Sequence, residues 1–345
     1  MLRHAIEIVK FYRIGNLPYA FWIYLGGLVV ALSSGMCEGI AAEESTESDR
    51  RWAIVLHGGA GTSPADLSKE ANEQRRQGLR QALEVGTKRL SDGGSSLDAV
   101  EAVIRVLEDD PQFNAGRGAV YNSVGRHELD ASIMDGKTSM AGAVAGVTIV
   151  KNPISLARRV MTQTRHVLLA GPGADQFARE QQVELVDNQY FDTPDAKREW
   201  EELRAKRQKE NGHMGTVGCV ALDLQGNLAA GTSTGGLTDK KYGRIGDSPI
   251  IGAGTFAQNG VCAISCTGIG ELFIRNALAH DVSAQIRYGN KPLDAAMHHA
   301  IHEKLEKDTG GMIGVDAQGN MNAQFNTAGM AAALADSTGR LEILW

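Results

Sequence analysis

The sequence predicts an α/β protein built as a four-layer αββα sandwich, two stacked sheets covered by helices on both outer faces. Three observations lead there. The 345 residues are 43% hydrophobic and 22% charged, the balance of a globular chain with ample material for a large core. No Pro- or Ser-rich linker and no fixed-period repeat divides the chain, so one compact unit is expected. Finally, a dense run of strand patterns lies in sequence between helical patterns on either side, which suits sheets on the inside and helices outside.

Trp52–Leu56 reads as a buried strand ended by the turn-rich His57-Gly-Gly-Ala-Gly61. Two helical patterns follow. The first carries Leu67, Leu79, Leu83 and Leu90; the second opens at Ser95, three residues before Asp98, and buries Val100, Val103 and Leu107 until Asp109-Asp110-Pro111 stops it. Leu129–Met134 and Ala141–Val150 read as strands, Asn152-Pro153 starts a helix through Met161, and Val167–Ala170 is a short strand. From about Asn188 to Met214 the chain turns strongly charged and reads as a solvated helix or a mobile linker. Strand patterns then crowd together at Thr216–Leu222, Leu228–Ser233, Ile250–Phe256 and Val261–Ser265. Helices resume at Glu271–Ala279 and Leu293–Leu305, before strands at Met312–Val315, Met321–Phe325 and Met330–Ala335.

Residues 1–42 form a separate object. Arg3, Lys10 and Arg13 precede a 13-residue apolar run, Ala20–Leu32, followed by small residues and Ala41-Ala42 before Glu43-Glu44. That is the order of a signal peptide, and the run is shorter than the roughly 20 apolar residues of a membrane span. Export, to a periplasm or by secretion, is therefore expected rather than a permanent membrane anchor. Met36 before Cys37 does not suit lipidation. Residues 43–51 read as a short polar linker.

The formal charge of −6, with no clustered basic face, argues against nucleic acid as a partner. Cys37, Cys219, Cys262 and Cys266 match neither a zinc site nor a disulfide framework. His298 and His302 are spaced i, i+4 but lack the glutamate of His-Glu-x-x-His, and no Gly-rich segment has the spacing of a nucleotide loop.

The segment Gly215-Thr-Val-Gly-Cys-Val-Ala-Leu-Asp223 carries the most chemistry, because a charged segment stops abruptly at Gly-Thr and an apolar strand begins. A threonine hydroxyl is a weak nucleophile, but an N-terminal threonine brings its own base in the α-amine, whose pKa is about 7.7–8.0. Gly215 tolerates the distorted backbone that would bring the Thr216 hydroxyl onto the preceding carbonyl. An N-to-O acyl shift followed by hydrolysis would then free Thr216.

These residues and others in order, His57-Gly-Gly-Ala-Gly61, Phe113-Asn-Ala-Gly116, Glu128-Leu-Asp-Ala131, Ala141–Gly146, Thr232-Ser-Thr-Gly-Gly236, Gly243-Arg-Ile-Gly-Asp-Ser-Pro249, Ser265-Cys-Thr-Gly-Ile-Gly-Glu271 and Phe325-Asn-Thr327, resemble the plant-type L-asparaginase and isoaspartyl peptidase family of N-terminal-nucleophile (Ntn) threonine hydrolases. The likeness runs from Trp52 to the end. It implies the Ntn-hydrolase form of the αββα sandwich, cut at Gly215–Thr216 into an α subunit (52–215, including the charged segment at about 188–214) and a β subunit (216–345).

By the same resemblance Thr216 is the nucleophile and Thr234 the threonine that poises it, while Thr267 and Gly268 form the oxyanion site. Arg244 and Asp247 match the positions that take the α-carboxylate and α-ammonium of an aspartyl substrate. That is sensible chemistry, since a guanidinium grips a carboxylate bidentately and a carboxylate accepts an ammonium. Gly270 lines the carboxylate pocket, and Asn114 faces the nucleophile from the first half. The loop Leu107–Arg117 matches one that holds a structural sodium through main-chain carbonyls, here those of Leu107, Glu108, Asp110, Phe113, Ala115 and Arg117.

The implied reaction is hydrolysis of β-aspartyl amide bonds, in isoaspartyl dipeptides or L-asparagine, with no cofactor required for catalysis. The implied partners are a small-molecule or dipeptide substrate and a second αβ unit, as a dimer of αβ heterodimers, with no stable membrane partner. Two alternatives stand beside it: a glycosylasparaginase acting on a sugar-bearing asparagine, and an exported amino-acid-binding protein that is never cleaved.

Overall fold

A computed structural model describes residues 51–206 and 215–345. The expected leader, most of the linker after it, and the stretch 207–214 before the Gly-Thr junction lie outside the described residues.

The first strand, β1 (Ala53–Ala60), is buried along its whole length. It does not stop at His57 as the glycines suggested. It runs on to Ala60 with a register shift between His57 and Ala60, so the glycines bend the strand without ending it. Helices α1 (Lys69–Ser91) and α2 (Ser96–Asp109) follow. The predicted cap is present: the Ser95 hydroxyl accepts the Asp98 N–H at 3.1 Å, satisfying one of the free donors of the first turn. Strands β2 (Leu129–Asp135) and β3 (Ala141–Val147), helix α3 (Pro153–Gln163) and strand β4 (Leu168–Ala170) match the sequence pattern within a few residues. Helix α4 (Gly171–Glu180), which the glycines and proline hid, comes next.

Part of the charged segment lies within the described residues. Pro194–Lys206 is a helix, α5, and it is docked. The Trp200 ring lies 5.5 Å from the Tyr121 ring, Thr238 donates to Glu199 at 2.8 Å, and Arg204 donates to the Ser123 carbonyl at 2.9 Å. One aromatic ring, buried Ala196 and two hydrogen bonds thus seat a helix whose sequence is mostly charged.

The second half supplies β5 (Val217–Leu222), β6 (Leu228–Thr234), β7 (Thr255–Gln258) and β8 (Cys262–Gly268). The strand expected from Ile250 begins only at Thr255, because Ile250–Gly254 is a tight turn in which Gly254 N–H meets Ile250 O at 3.2 Å. Helix α6 (Gly270–Asn276) is followed by a separate helix, α7 (Leu278–Gly289), after a left-handed Ala277. Helix α8 (Leu293–His298) continues as one wider π turn, His299–Glu303. Strands β9 (Gly310–Asp316), β10 (Met321–Phe325), β11 (Met330–Asp336) and β12 (Leu341–Leu344) complete the chain.

The strands form an eight-stranded sheet, β12-β11-β1-β5-β6-β2-β3-β4, and a four-stranded one, β10-β9-β8-β7. Three apolar layers match the αββα expectation. Ile54, Leu83, Ile104 and Val160 lie between the first helices and the large sheet. Val55, Val220, Ile313 and Leu334 fill the space between the sheets. Ile264, Phe273, Val282 and Met297 sit between the small sheet and the later helices. The two inner faces bring the ends of β1, β5, β6 and β8 together, and the chemistry lies there.

Candidate active site

Strand pairing places the two central threonines. β5 and β6 are antiparallel with Val217 opposite Ser233, so one step further out Thr216 faces Thr234. The Thr216 hydroxyl donates to Thr234 Oγ1 at 3.2 Å, and the Gly236 N–H donates to the same oxygen at 3.0 Å. Thr234 Oγ1 therefore accepts from both sides and holds the Thr216 hydroxyl in one orientation. Thr216 is only 7% exposed.

The backbone around the Gly215–Thr216 peptide is crowded. A Cβ on Gly59 would lie 2.7 Å from Gly215 Cα and 3.2 Å from Thr216 N, and Gly59 has φ +106°, so this position requires glycine on two counts. Next to it, buried His57 approaches Ser265 Oγ with Nε2 at 3.0 Å. Burial pushes its imidazole down to about 3, outweighing the nearby Thr216 backbone, so the ring is neutral at pH 7.

Gly215, Thr216, Thr234, Arg244, Asp247 and Gly268 line a single pocket. Its free space is about 10 Å³, no more than one water needs. With the chain intact, this space cannot admit an amino acid. A roomier hollow of about 380 Å³ opens between α2 and α3, but it shares none of these residues and its Arg158 is bound to Asp98 and Glu101.

Arg244 and Asp247 line the same pocket, with an addition that the motif did not disclose. The Arg244 guanidinium is gripped bidentately by Glu271, Nε to Oε1 at 2.9 Å and Nη2 to Oε2 at 3.0 Å. This clasp occupies one edge of the fork. Gly270 sits between the two charged groups: a Cβ there would come within 2.8 Å of Asp247 Oδ1 and 3.0 Å of Arg244 Nη2. Asp247 is 4% exposed and its Oδ2 has no partner. Burial lifts its carboxyl to about 7 even though Arg244 pulls the other way. A buried carboxyl with one unbonded oxygen thus lies in the same pocket as a clasped arginine.

Thr267 and Gly268 end β8. Thr267 Oγ1 accepts the Ala60 N–H at 3.3 Å, which leaves its own O–H to donate elsewhere. Asn114 is buried, but both ends of its amide are engaged: Nδ2 donates to Gly236 O at 2.8 Å and Oδ1 accepts Val120 N–H at 3.1 Å. Its contact is with the turn that follows Thr234. Lys240, also buried, donates to Glu128 O at 2.7 Å beneath Gly236.

In the loop after α2, a Cβ on Gly116 would run into the Glu108 carbonyl, so main-chain oxygens crowd inward there. The Glu108 side chain is fully buried between Ser233 Oγ (2.7 Å) and Ile154 N–H (3.0 Å), and burial raises it to about 8. Arg117 points outward, over the Tyr190 ring at 5.8 Å, which accounts for a charged residue in that loop. Among the described residues no group of three or more His, Cys, Asp or Glu side chains could hold a metal, and no helix is long and apolar enough to cross a membrane. His298 and His302 stack at 4.6 Å, away from the pocket.

Glu271, His57 and Lys240 escaped sequence reasoning as site residues. Glu271 looked like the start of a helix, and its meeting with Arg244 crosses 27 positions. A buried lysine has no local signature at all.

The family model described as asparaginase matches residues 50–344. The chain is 45% identical over 296 residues to an isoaspartyl peptidase of Escherichia coli (strain K12), covering 81% of this chain and 91% of that one. It is 46% identical over 301 residues to a plant-type L-asparaginase of Pyrococcus abyssi (strain GE5 / Orsay), covering 81% and 95%. It is 42% identical over 287 residues to an isoaspartyl peptidase/L-asparaginase of Bos taurus, covering 82% and 92%.

Proposed function

The chain belongs to the asparaginase family whose model spans residues 50–344, and from that premise we propose that it is a threonine hydrolase of β-aspartyl amide bonds, in isoaspartyl dipeptides and L-asparagine. The observation that carries the reading is the single pocket in which Thr216 faces Thr234 beside Arg244 and Asp247.

The chain first acts on itself. Thr216 Oγ1 attacks the Gly215 carbonyl, its proton passes to the departing Thr216 nitrogen, and the peptide becomes an ester that water hydrolyses. Thr234 orients the hydroxyl through its accepting oxygen. Loss of the Gly215 end clears the pocket and frees the Thr216 amine.

Catalysis then repeats the chemistry on substrate. The α-carboxylate takes the guanidinium edge of Arg244 that Glu271 leaves open, and the α-ammonium sits against Asp247. With its own amine as base, Thr216 attacks the side-chain carbonyl, and Thr267 O–H with Gly268 N–H stabilise the oxyanion. The amine leaves with a proton, and water hydrolyses the aspartyl ester to L-aspartate. Asn114 supports the turn after Thr234.

No cofactor enters these steps. The crowded carbonyls of the Leu107–Arg117 loop fit main-chain ligation of a hard cation such as sodium, which would brace the loop behind Asn114 without entering the reaction. Export of the mature enzyme and its assembly as a dimer of αβ units complete the proposal.

Intact mass measured together with turnover tests it. A Thr216-initiated fragment and faster hydrolysis of β-aspartyl-leucine than of aspartylglucosamine are expected. The reverse preference would make it a glycosylasparaginase, and an uncut inactive chain would make it a binding protein.

A further inference from the structure

Between the two sheets, where Val, Ile and Ala otherwise pack, a chain of hydroxyls runs from the nucleophile side to the Asp247 turn. Ser132 (β2), Thr232 (β6), Thr255 (β7) and Ser265 (β8) are all fully buried. His57 Nε2 meets Ser265 Oγ at 3.0 Å, Ser265 meets Thr232 at 2.7 Å, Thr232 meets Thr255 at 2.6 Å, and Thr255 meets Ser132 at 2.8 Å. Ser132 then donates to the Ser248 carbonyl at 2.6 Å. Four buried hydroxyls in an apolar layer cost stability unless each is bonded, and a bonded set holds its members in one arrangement.

The chain ends where a fixed position matters. Ser248 follows Asp247, whose carboxyl is held by its own backbone N–H and has no partner at Oδ2, so its place is set by the backbone. Gly254, whose carbonyl lies 3.1 Å from Thr232 Oγ1 and shares that hydroxyl's one proton with Thr255, presses against the Asp247 carbonyl carbon and Ser248 N, with room for no Cβ. The backbone of Asp247 is thus clamped from β2, β6 and β7, while its side chain faces the pocket.

We propose that Ser132, Thr255 and Thr232 are positioning residues that fix the Asp247 carboxyl at the height of the substrate α-ammonium. The proposal rests on the reading of Asp247 as the ammonium receptor. None of the three lines the pocket, so their effect passes through the Ser248 carbonyl.

The test compares Thr255→Val, Ser132→Ala and Thr255→Ser with the wild type, after complete self-cleavage, on β-aspartyl-leucine and with L-aspartate as competitive inhibitor. Thr255→Val and Ser132→Ala should raise KM and the aspartate Ki together, about fivefold to tenfold, the worth of a net hydrogen bond. The kcat and the self-cleavage half-time should stay within twofold, because neither step uses the α-ammonium, and Thr255→Ser should restore wild-type constants. A lowered melting temperature with unchanged KM and Ki, or a fall in kcat alone, would overturn the proposal. Should Thr255→Val fail to fold, the smaller Ser132→Ala carries the same expectation. A wild type that neither turns over the dipeptide nor binds aspartate would overturn the hydrolase reading itself, whereas an active wild type with unaltered variants overturns only the positioning role.

Discussion

The Asp247 carboxyl offers a measurable consequence of its surroundings. Burial raises its pKa to about 7 in the uncut chain, and an ammonium can be accepted only by the ionised form, so the cleaved enzyme is expected to show the same sign. The bound ligand lowers that pKa, so affinity is full above about 7 and is lost as pH falls through it. The apparent constant is multiplied by one plus ten to the power of the pKa minus the pH. It should therefore weaken about 16-fold between pH 7 and pH 5.5, the factor rising from about 2 to about 33. The competitive Ki of L-aspartate, measured on the cleaved enzyme at constant ionic strength, isolates this step from the protonation of the Thr216 amine, which acts on kcat. Asp247→Asn should bind aspartate about 10- to 150-fold more weakly at pH 7, the range for losing a hydrogen bond to a charged group, and should flatten the dependence. A wild-type Ki that is level from pH 7 to 5.5, or a slope that survives in Asp247→Asn, would refute the assignment.

Other outcomes follow from the same geometry. Thr216→Ala removes the attacking oxygen, so mass spectrometry should find an uncut chain and no turnover. Thr234→Val leaves the Gly236 N–H and the Thr216 hydroxyl without their acceptor; at about 1–3 kcal/mol, kcat and the self-cleavage rate should both fall about 5- to 150-fold, as read by gel and by initial rates. Gly59→Ala drives a Cβ into Gly215, and pulse-chase gels should record cleavage slowed at least tenfold while circular dichroism stays native. Trp200→Ala unseats α5 from Tyr121, and proteolysis should then cut within residues 194–206 faster than in the wild type.

Several elements were legible because their signals are local. The helix that starts at Ser95 announces itself by its cap and by apolar spacing, β9 and β11 by largely apolar runs, and β10 by alternation of apolar and polar residues. Helix α7 and the late start of β7 were not, since a left-handed Ala277 and a turn at Ile250–Gly254 are choices of backbone made under tertiary packing. The site divides in the same way. Thr216, Arg244 and Asp247 were singled out by the resemblance of their segments to the family, since a Gly-Thr junction and an Arg–Asp pair are by themselves common.

By itself, then, the sequence determined the layer architecture and the family to which the chain belongs. Only the tertiary structure decided that Thr216 faces Thr234 across β5 and β6, that Glu271 clasps Arg244, and that Asp247, with Oδ2 unbonded, stands beside the Ser248 carbonyl where a hydroxyl chain ends. The reason is physical. Periodicity and caps depend on neighbours along the chain, whereas desolvation and hydrogen-bond partners depend on what the fold packs around a group, and serine, threonine and aspartate look alike in sequence whether buried or exposed.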